Sequence, residues 1–168
     1  MAVEVLLSLG SNIDREYHLC AALDALAEAY GNIEMSPVYE SDAVGFDGNA
    51  FYNLVVAIST EEPLAVVNQR LKQIEDNCGR DRSQPKYSSR TLDIDVLTYG
   101  DAHGAVSGIA LPRDEVYRHA FVLKPLADLR PGMPVPGDTL TWADLWLDFS
   151  ASDQPLRQIN VQWHQQKI

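Results

Sequence analysis

The sequence predicts an α+β fold of the ferredoxin-like type, in which helices pack on a mostly antiparallel sheet. Two long segments, 13–29 and 62–78, carry apolar residues at helical spacing, and apolar runs of strand length lie around them. The resulting order β-α-β-β-α-β is the ferredoxin-like arrangement. At 168 residues and 46% hydrophobic composition, the chain fits one domain over 1–150 and a polar, loosely attached C-terminal tail over 151–168.

The first part of the chain predicts a strand, a helix and an edge strand. Residues 3–9 form a short apolar run, and the helix over 13–29 follows it. Residues 32–40 form the next strand, in which Pro37 favours a sheet edge or a bulge. The polar, glycine-bearing segment 41–49 is long enough to form a lip over a binding site.

The second part begins with a largely apolar strand over 51–60. The helix over 62–78 has Pro63 near its first turn, where proline is well tolerated. Residues 79–89 show no periodicity, which predicts a mobile loop. A buried strand over 91–99 follows this loop.

Shorter elements are predicted after the last long strand. We expect a short strand over 106–111, a helical turn over 113–118 and a further helix that begins at Phe121. Residues 133–138 are rich in proline and glycine. A short amphipathic helix over 141–148 has three apolar residues on its buried side: Trp142, Leu145 and Trp146.

The charge balance argues against several classes of partner. Thirteen basic and 24 acidic residues give a net charge of −11, which disfavours nucleic acid and anionic membranes as partners. No apolar run approaches the roughly 18 residues of a membrane span, and the N-terminal sequence lacks signal-peptide features. Cys20 and Cys78 lack metal-ligand spacing and are interpreted as ordinary thiols. We therefore expect a cytoplasmic protein. We also expect a monomer, which these features of the sequence do not test.

Two carboxylates occupy alternate positions of the strand over 91–99. Asp93 and Asp95 should point to the same side of this strand, about 6.6 Å apart. In an apolar setting two such carboxylates repel and lose hydration, so a divalent cation between them is the economical interpretation. The alternative is that both face solvent on a half-exposed strand.

Six of the thirteen basic residues lie between positions 70 and 90, directly before the two aspartates. Two of them fit the exposed face of a helix, whereas four lie in the predicted loop: Arg80, Arg82, Lys86 and Arg90. Glu75 and Asp76 lie at the unfavourable end of the helix dipole, which indicates that nearby arginines compensate them. Cations beside a metal site suggest a polyphosphate ligand.

Two further polar features each have two interpretations. Gly10-Ser11-Asn12 precedes a helix, so it is either an anion-binding turn or an ordinary cap. Asn53 lies within an apolar strand and needs hydrogen-bond partners if it is buried. It either satisfies a backbone group or contacts a ligand.

Several motifs occur in a consistent order between residues 3 and 135. They are Leu9-Gly10-Ser11-Asn12, Gly79-Arg80-x-Arg82, Arg90-Thr91-Leu92-Asp93-Ile94-Asp95-Val96-Leu97-x-Tyr99-Gly100, Leu111-Pro112 and Ala120-Phe121-Val122-Leu123-x-Pro125-Leu126. Together they resemble the 6-hydroxymethyl-7,8-dihydropterin pyrophosphokinase family of folate biosynthesis. The resemblance implies transfer of the β,γ-diphosphate of ATP to the hydroxymethyl group of a reduced pterin, with release of AMP.

The resemblance also implies roles for individual residues. Asp93 and Asp95 would hold two Mg²⁺ ions that bridge the ATP phosphates and the attacking hydroxyl. Three arginines match family arginines near the phosphates: Arg80, Arg82 and Arg90. Because Arg82 lies in the middle of the loop, it should reach the site only when the loop closes.

The remaining implied roles divide between the two substrates. The nucleotide side would include Glu75, Tyr87, Val96, Arg113 and His119. On the pterin side, Asn53 would hydrogen-bond the amide edge, and Phe51 and Phe121 would sandwich the ring. The lip would meet the rim of the pterin through backbone groups at Ser41, Asp42 and Val44.

Two positions depart from the family pattern. The family commonly has Pro-His where this chain has Pro112-Arg113, and it commonly has arginine where this chain has His119. One hypothesis is that Arg113 and His119 cover the same phosphates from exchanged positions, with Arg118 as a further candidate. The other is that nucleotide binding is weakened or altered. A non-catalytic domain that binds pterin, nucleotide or a partner protein is the alternative class of function.

Overall fold

The computed structural model describes residues 1–80, 82–84, 88–150, 152–164 and 166–168. In chain order the elements are β1 (Val3–Ser11), α1 (Arg15–Tyr30), β2 (Glu34–Met35), β3 (Val38–Ser41), β4 (Phe51–Thr60), α2 (Leu64–Asn77), β5 (Asp93–Tyr99), β6 (Gly104–Val106), β7 (Ile109–Leu111), α3 (Glu115–Arg118), α4 (Ala120–Leu129), α5 (Trp142–Asp148), β8 (Leu156–Ile159), β9 (Gln162–Trp163) and β10 (Gln166–Lys167). No helix within these ranges has both the length and the apolar character that crossing a membrane requires.

The main sheet has the strand order β5-β1-β4-β3-β8, and β2 also pairs with β4. Every one of these pairs is antiparallel. The long apolar strand β1 lies between β4 and β5, and Leu7 is opposite Val56 on one side and Val96 on the other. The predicted α+β fold with helices on a mostly antiparallel sheet is confirmed.

The helices cover both faces of the sheet. Because successive strand residues point to opposite faces, Leu7 packs beneath α1 and α2, whereas Leu6 packs beneath α4 and α5. Trp142 of α5 is fully buried in this second layer. The sequence predicted the first helical layer from its periodicity, and the short C-terminal helices form the second.

Two predicted strands are each divided into two shorter strands. The strand expected over 32–40 is divided into β2 and β3 at Pro37, where Ser36 takes over the pairing with Val55. The single strand expected over 106–111 is wrong, because β6 and β7 form a hairpin there. Ser107 and Gly108 have φ values of 50° and 78°, which a tight hairpin turn requires at both central positions.

The C-terminal segment is attached to the domain. β8 pairs with β3 along four residues and extends the main sheet. Beyond it, Val161 and Trp163 are buried in the core beneath α1, and Trp163 Nε1 donates to Asp24 Oδ1 at 2.9 Å. The loose attachment expected from the polar composition is therefore wrong. The assignment of residues 1–150 to a single domain stays a prediction.

Replacement of Trp163 tests this attachment. Trp163→Ala removes a 9% exposed indole from the core, and we expect it to lower the free energy of unfolding by about 3 kcal/mol. Urea denaturation monitored by circular dichroism measures the change. Gln166→Ala, at an exposed position of β10, is the control and should change stability by less than about 0.5 kcal/mol. Equal stabilities of the two variants would contradict the packing described here.

Candidate active site

The candidate site is a cavity of about 490 Å³ on the sheet face that carries α4. Its floor consists of residues from three adjacent strands: Ser8 and Gly10 of β1, Phe51 and Asn53 of β4, and Asp93 and Asp95 of β5. Gly10 is opposite Asn53 on one side and Asp93 on the other. The same face is apolar where α4 covers it and polar where the cavity opens.

Gly10 gives the cavity its depth. A Cβ atom at this position would lie 3.4 Å from Asn53 Oδ1 and 3.9 Å from Phe51 Cδ2. The missing side chain therefore leaves open space between the amide of β4 and the carboxylates of β5. The interpretation of Gly10-Ser11-Asn12 as a helix cap is wrong, because Asp14 precedes the first residue of α1.

Asn12 links the two sides of the cavity. Its Oδ1 accepts a hydrogen bond from Arg90 N at 2.7 Å, and its own backbone N–H donates to Arg90 O at 3.0 Å. Its Nδ2 donates to Asn49 O at 3.0 Å, at the end of the lip. This 2% exposed side chain thereby holds the lip close to the chain that leads into β5.

Glu75 organises the side of the cavity that carries the arginines. Its carboxylate is buried at the end of α2 and accepts a hydrogen bond from Ile94 N at 2.8 Å. Arg80 Nη1 donates both to Glu75 Oε2 at 3.3 Å and to Asp93 Oδ1 at 3.1 Å. Burial, together with the charge of Asp93, raises the pKa of Glu75, although Ile94 N and Arg80 oppose this shift. Glu75 therefore fixes Arg80 beside Asp93.

The other predicted loop residues occupy different positions. Arg82 lies against α2, where Nε donates to Asp76 Oδ1 at 3.1 Å and Nη2 donates to Glu75 Oε1 at 3.2 Å. It does not line the described cavity, so its entry on loop closure stays a prediction. Arg90 is 7% exposed and lines the cavity. Tyr87 lies outside the described residues.

Asp93 and Asp95 both line the cavity, which confirms that they point to the same side of β5. The side chains of Asp93 and Asp95 are 42% and 44% exposed to solvent. The surrounding protein removes hydration from Asp95 and, together with the charge of Asp93, raises its pKa to about 7. Arg113, with Nη2 3.9 Å from Asp95 Oδ1, opposes this shift. A cation at these carboxylates would relieve their repulsion.

The two carboxylates are suited to Mg²⁺. This ion is commonly bound by one or two protein carboxylates, while water and phosphate oxygens fill its other positions. The described residues include no group of three or more His, Cys, Asp or Glu side chains arranged to hold a metal ion. The structure thus offers two protein ligands on an open side of the cavity.

The opposite wall combines an oriented amide with aromatic rings. Asn53 Nδ2 donates to Tyr39 O at 3.1 Å and to Ser41 Oγ at 2.8 Å. These two acceptors identify the amide atom that faces them as the NH₂ group of Asn53. The amide oxygen, Oδ1, is therefore the atom that can bind a ligand. The two interpretations of Asn53 are therefore compatible, since it satisfies a backbone carbonyl and also lines the cavity.

The predicted aromatic and lip residues surround Asn53. Phe51 and Phe121 both line the cavity, and so do Ser41, Asp42 and Val44. Each aromatic ring already has a ring neighbour. Phe46 packs edge-on against Phe51 with centroids 6.4 Å apart, and His119 stacks on Phe121 with centroids 4.8 Å apart.

The residues that depart from the family pattern both reach the cavity. Arg113 lines it beside Asp95, and its Nε donates to Val96 O at 3.2 Å. His119 lines it at the start of α4. Arg118 pairs with Asp114 on the exposed surface and does not line the described cavity.

Val96 has a different environment from the other predicted site residues. Its side chain is fully buried in the core beneath α1 and α2. Only its backbone carbonyl faces the cavity residue Arg113. A role for Val96 in nucleotide binding therefore stays a prediction that concerns its backbone.

Several cavity residues were not predicted from the sequence: Ser8, Phe46, Gln84, Ser88, Leu97, Glu115 and Val122. Phe46 could have been found as the one aromatic residue in the polar lip. Ser8 and Leu97 follow from the period-two pattern only when the facing strands are known. Glu115 gave no sequence signal, because an acidic residue in a first helical turn is common.

Comparison with known proteins identifies the family. The sequence model of the 7,8-dihydro-6-hydroxymethylpterin-pyrophosphokinase (HPPK) family matches residues 6–131. The chain belongs to this family. The predicted resemblance is therefore confirmed, and the matched region contains every predicted site residue.

Relatives of known sequence support the assignment to HPPK. The chain is 36% identical over 141 residues to the 2-amino-4-hydroxy-6-hydroxymethyldihydropteridine pyrophosphokinase of Pseudomonas aeruginosa, which covers 81% of this chain and 86% of the relative. It is 34% identical over 127 residues to the enzyme of the same name from Bacillus subtilis, covering 73% and 75%.

A solved structure supports the fold. The wild-type HPPK-DHPS of Plasmodium falciparum superposes with a TM-score of 0.64 at 16% identity, over 88% of this chain and 45% of that one. This chain thus corresponds to less than half of the Plasmodium chain. The likeness concerns the fold.

The raised pKa of Asp95 predicts a pH-dependent effect on stability. The folded protein retains a proton on Asp95 up to a pH of about 7, whereas the unfolded chain releases it near pH 4. The wild type therefore loses stability as the pH rises through this interval. We expect ligand-free Asp95→Asn to be more stable than the wild type at pH 8 by about 1 kcal/mol, since partial exposure reduces the full effect.

Thermal denaturation of ligand-free protein at pH 4 and pH 8 measures this difference, which should vanish at the lower pH. Asp101→Asn, at an exposed position beyond the end of β5, is the matched control. A lower stability of Asp95→Asn at pH 8 would show that the carboxylate is not under repulsion.

Proposed function

We propose that this HPPK transfers the β,γ-diphosphate of ATP to the hydroxymethyl group of 6-hydroxymethyl-7,8-dihydropterin and releases AMP, as a step of folate biosynthesis. The observation that carries the proposal is the division of one cavity into two walls. One wall has the carboxylates of β5 with three arginines: Arg80, Arg90 and Arg113. The other, here called the pterin wall, has the oriented amide of Asn53 and the aromatic rings of Phe51 and Phe121.

The arginine wall suits a polyphosphate. Asp93 and Asp95 would hold two Mg²⁺ ions, which when bound neutralise the charge of the phosphates during diphosphate transfer. Arg80 is held in place by Glu75 and directs Nη1 to Asp93. Guanidinium groups suit phosphate oxygens because they can donate two parallel hydrogen bonds. These residues would therefore orient the phosphates toward the pterin wall.

The pterin wall suits a flat, amide-bearing heterocycle. Asn53 Oδ1 would accept a hydrogen bond from an N–H of the pterin, since its Nδ2 already donates to Tyr39 and Ser41. Phe51 and Phe121 would pack against the ring. Backbone groups of the lip over residues 41–44 would contact its rim. This arrangement would place the hydroxymethyl group toward Asp93 and Asp95.

The direct test combines the protein with ATP, Mg²⁺ and 6-hydroxymethyl-7,8-dihydropterin. We expect AMP and the pterin diphosphate in equal amounts, and we expect EDTA to abolish both. Nucleotide chromatography distinguishes the products. ADP instead of AMP, or no nucleotide product, would overturn the proposal and favour the non-catalytic alternative.

We also propose that Arg113 and His119 cover the ATP phosphates from exchanged positions. Arg113→Ala removes a cation 3.9 Å from Asp95, and we expect the KM for ATP to rise about tenfold or more. Arg118→Ala is the matched control, because Arg118 lies nearby on the exposed surface and pairs with Asp114. It should leave the KM within about twofold. An unchanged KM in Arg113→Ala would sink the exchange hypothesis.

Other expectations about the protein stay predictions. A cytoplasmic location and the lack of nucleic-acid or membrane partners rest on the charge and the apolar patterning of the sequence. A monomeric state is a separate prediction. ATP and the pterin are the small molecules that the proposed reaction requires.

A further inference from the structure

The C-terminal segment, defined here as residues 152–168 without position 165, contacts the pterin wall of the cavity. It lies outside the region matched by the HPPK family model, which ends at residue 131. The segment passes the start of α4, runs along β3 as β8 and then packs on α1 through β9. Two of its side chains, Gln154 and Arg157, bind backbone and side-chain groups that hold cavity residues.

Gln154 holds the turn between α3 and α4. Its Oε1 accepts a hydrogen bond from Ala120 N at 2.8 Å, and its Nε2 donates to Arg118 O at 3.1 Å. Ala120 N belongs to the first turn of α4, where backbone N–H groups have no partner within the helix. The two bonds bracket His119, which is extended between the helices and stacks on Phe121. Gln154 therefore fixes the backbone that carries both rings.

Arg157 holds the lip. Its Nε donates to Glu40 Oε1 at 2.8 Å, and its Nη2 donates to Asp42 Oδ1 at 3.1 Å. The other oxygen of Glu40, Oε2, accepts a hydrogen bond from Arg15 Nη1 at 3.0 Å. Arg15 Nη1 also donates to Ala50 O at 3.0 Å. Asp42 and Ala50 lie at the two ends of the lip. One network of ion pairs and hydrogen bonds that begins at Arg157 therefore holds both ends of the lip.

The backbone of β8 acts on the same wall. It pairs with β3 so that Leu156 is opposite Ser41 and Gln158 is opposite Tyr39. Tyr39 O and Ser41 Oγ are the acceptors that orient the amide of Asn53. The segment therefore supports three parts of the pterin wall, namely the lip, the amide and the stacked ring.

The segment is anchored independently of these two side chains. Val161 and Trp163 are buried in the core, and Trp163 also donates to Asp24. The backbone of Val161 pairs with Ile168 through two hydrogen bonds of 2.9 Å. Removal of the Gln154 or Arg157 side chain should therefore leave the segment in place. It should affect only the start of α4 and the lip, to which these side chains bond.

We propose that Gln154 and Arg157 are positioning residues for the pterin, so that the C-terminal segment sets pterin affinity without contacting the nucleotide. The proposal rests on the function proposed above. It predicts an effect on the pterin alone for Arg157, whose hydrogen bonds end on Glu40 and the lip. Gln154 also holds the backbone of His119, which is assigned above to the nucleotide.

Steady-state kinetics of five variants tests the proposal: Gln154→Ala, Arg157→Ala, the double variant of these two, Arg157→Lys, and Gln158→Ala as an exposed control on β8. We expect each single change to raise the KM for the pterin about threefold and the double variant to raise it about tenfold, as for surface polar contacts. The KM for ATP and kcat should stay within about twofold in Arg157→Ala and in Gln158→Ala. Gln154→Ala loosens the backbone of His119 and should raise the KM for ATP as well. Arg157→Lys should be intermediate, since an ammonium group lacks the fork that reaches both Glu40 and Asp42.

An unchanged pterin KM in the double variant, or equal increases of the pterin and ATP KM values in Arg157→Ala, would overturn the proposal. If the wild type forms no AMP, the proposed function fails, and hydrogen exchange of the ligand-free protein then decides the positioning role. Backbone amides of residues 41–46 should exchange faster in the double variant than in the wild type and in Gln158→Ala. Equal exchange in the three proteins would also overturn the proposal.

Discussion

The site depends on one buried carboxylate, that of Glu75. A buried carboxylate is stable only when hydrogen bonds and opposite charges replace its hydration. Glu75 obtains these from Ile94 N at the start of β5 and from Arg80 and Arg82 in the loop after α2. The same contacts join the end of α2 to β5 and aim Arg80 at Asp93. The Glu75 carboxylate thus serves both the packing of α2 against β5 and the polyphosphate side of the cavity.

The site also shows why net charge is a poor guide to the ligand of this protein. The chain carries a net charge of −11, yet the proposed ligand is a polyanion. The lining itself is mixed, because Arg80, Arg90 and Arg113 are accompanied there by four carboxylates: Asp42, Asp93, Asp95 and Glu115. Mg²⁺ at Asp93 and Asp95 would offset this negative charge and leave the arginines to attract phosphates. At physiological ionic strength, charges more than about 8 Å apart are largely screened where water separates them. The groups lining the cavity therefore dominate what it binds.

Sequence reasoning succeeded where a pattern is local and failed where it is not. The alternation of Asp93 and Asp95 with Ile94 predicted one polar and one buried side of β5, and the motif from Arg90 to Gly100 predicted the family. The role of Gly10 depends on its register with β4 and β5, which no single stretch reveals. The C-terminal segment was misjudged because its composition is polar. Among the described residues of the segment, Val161 and Trp163 are buried in the core, and β8 adds backbone pairing with β3.

The contacts of Asn12 have a consequence for how the site forms during folding. Asn12 and Arg90 are 78 positions apart in the chain. Two hydrogen bonds join them, one from Arg90 N to the side chain of Asn12 and one from Asn12 N to Arg90 O. Contacts across such long separations require most of the chain to be ordered first. A partly folded chain would lack the link between the lip and β5, and with it a complete cavity. Substrate would then bind the native state selectively, so that raising its concentration would protect the protein against heat and proteolysis.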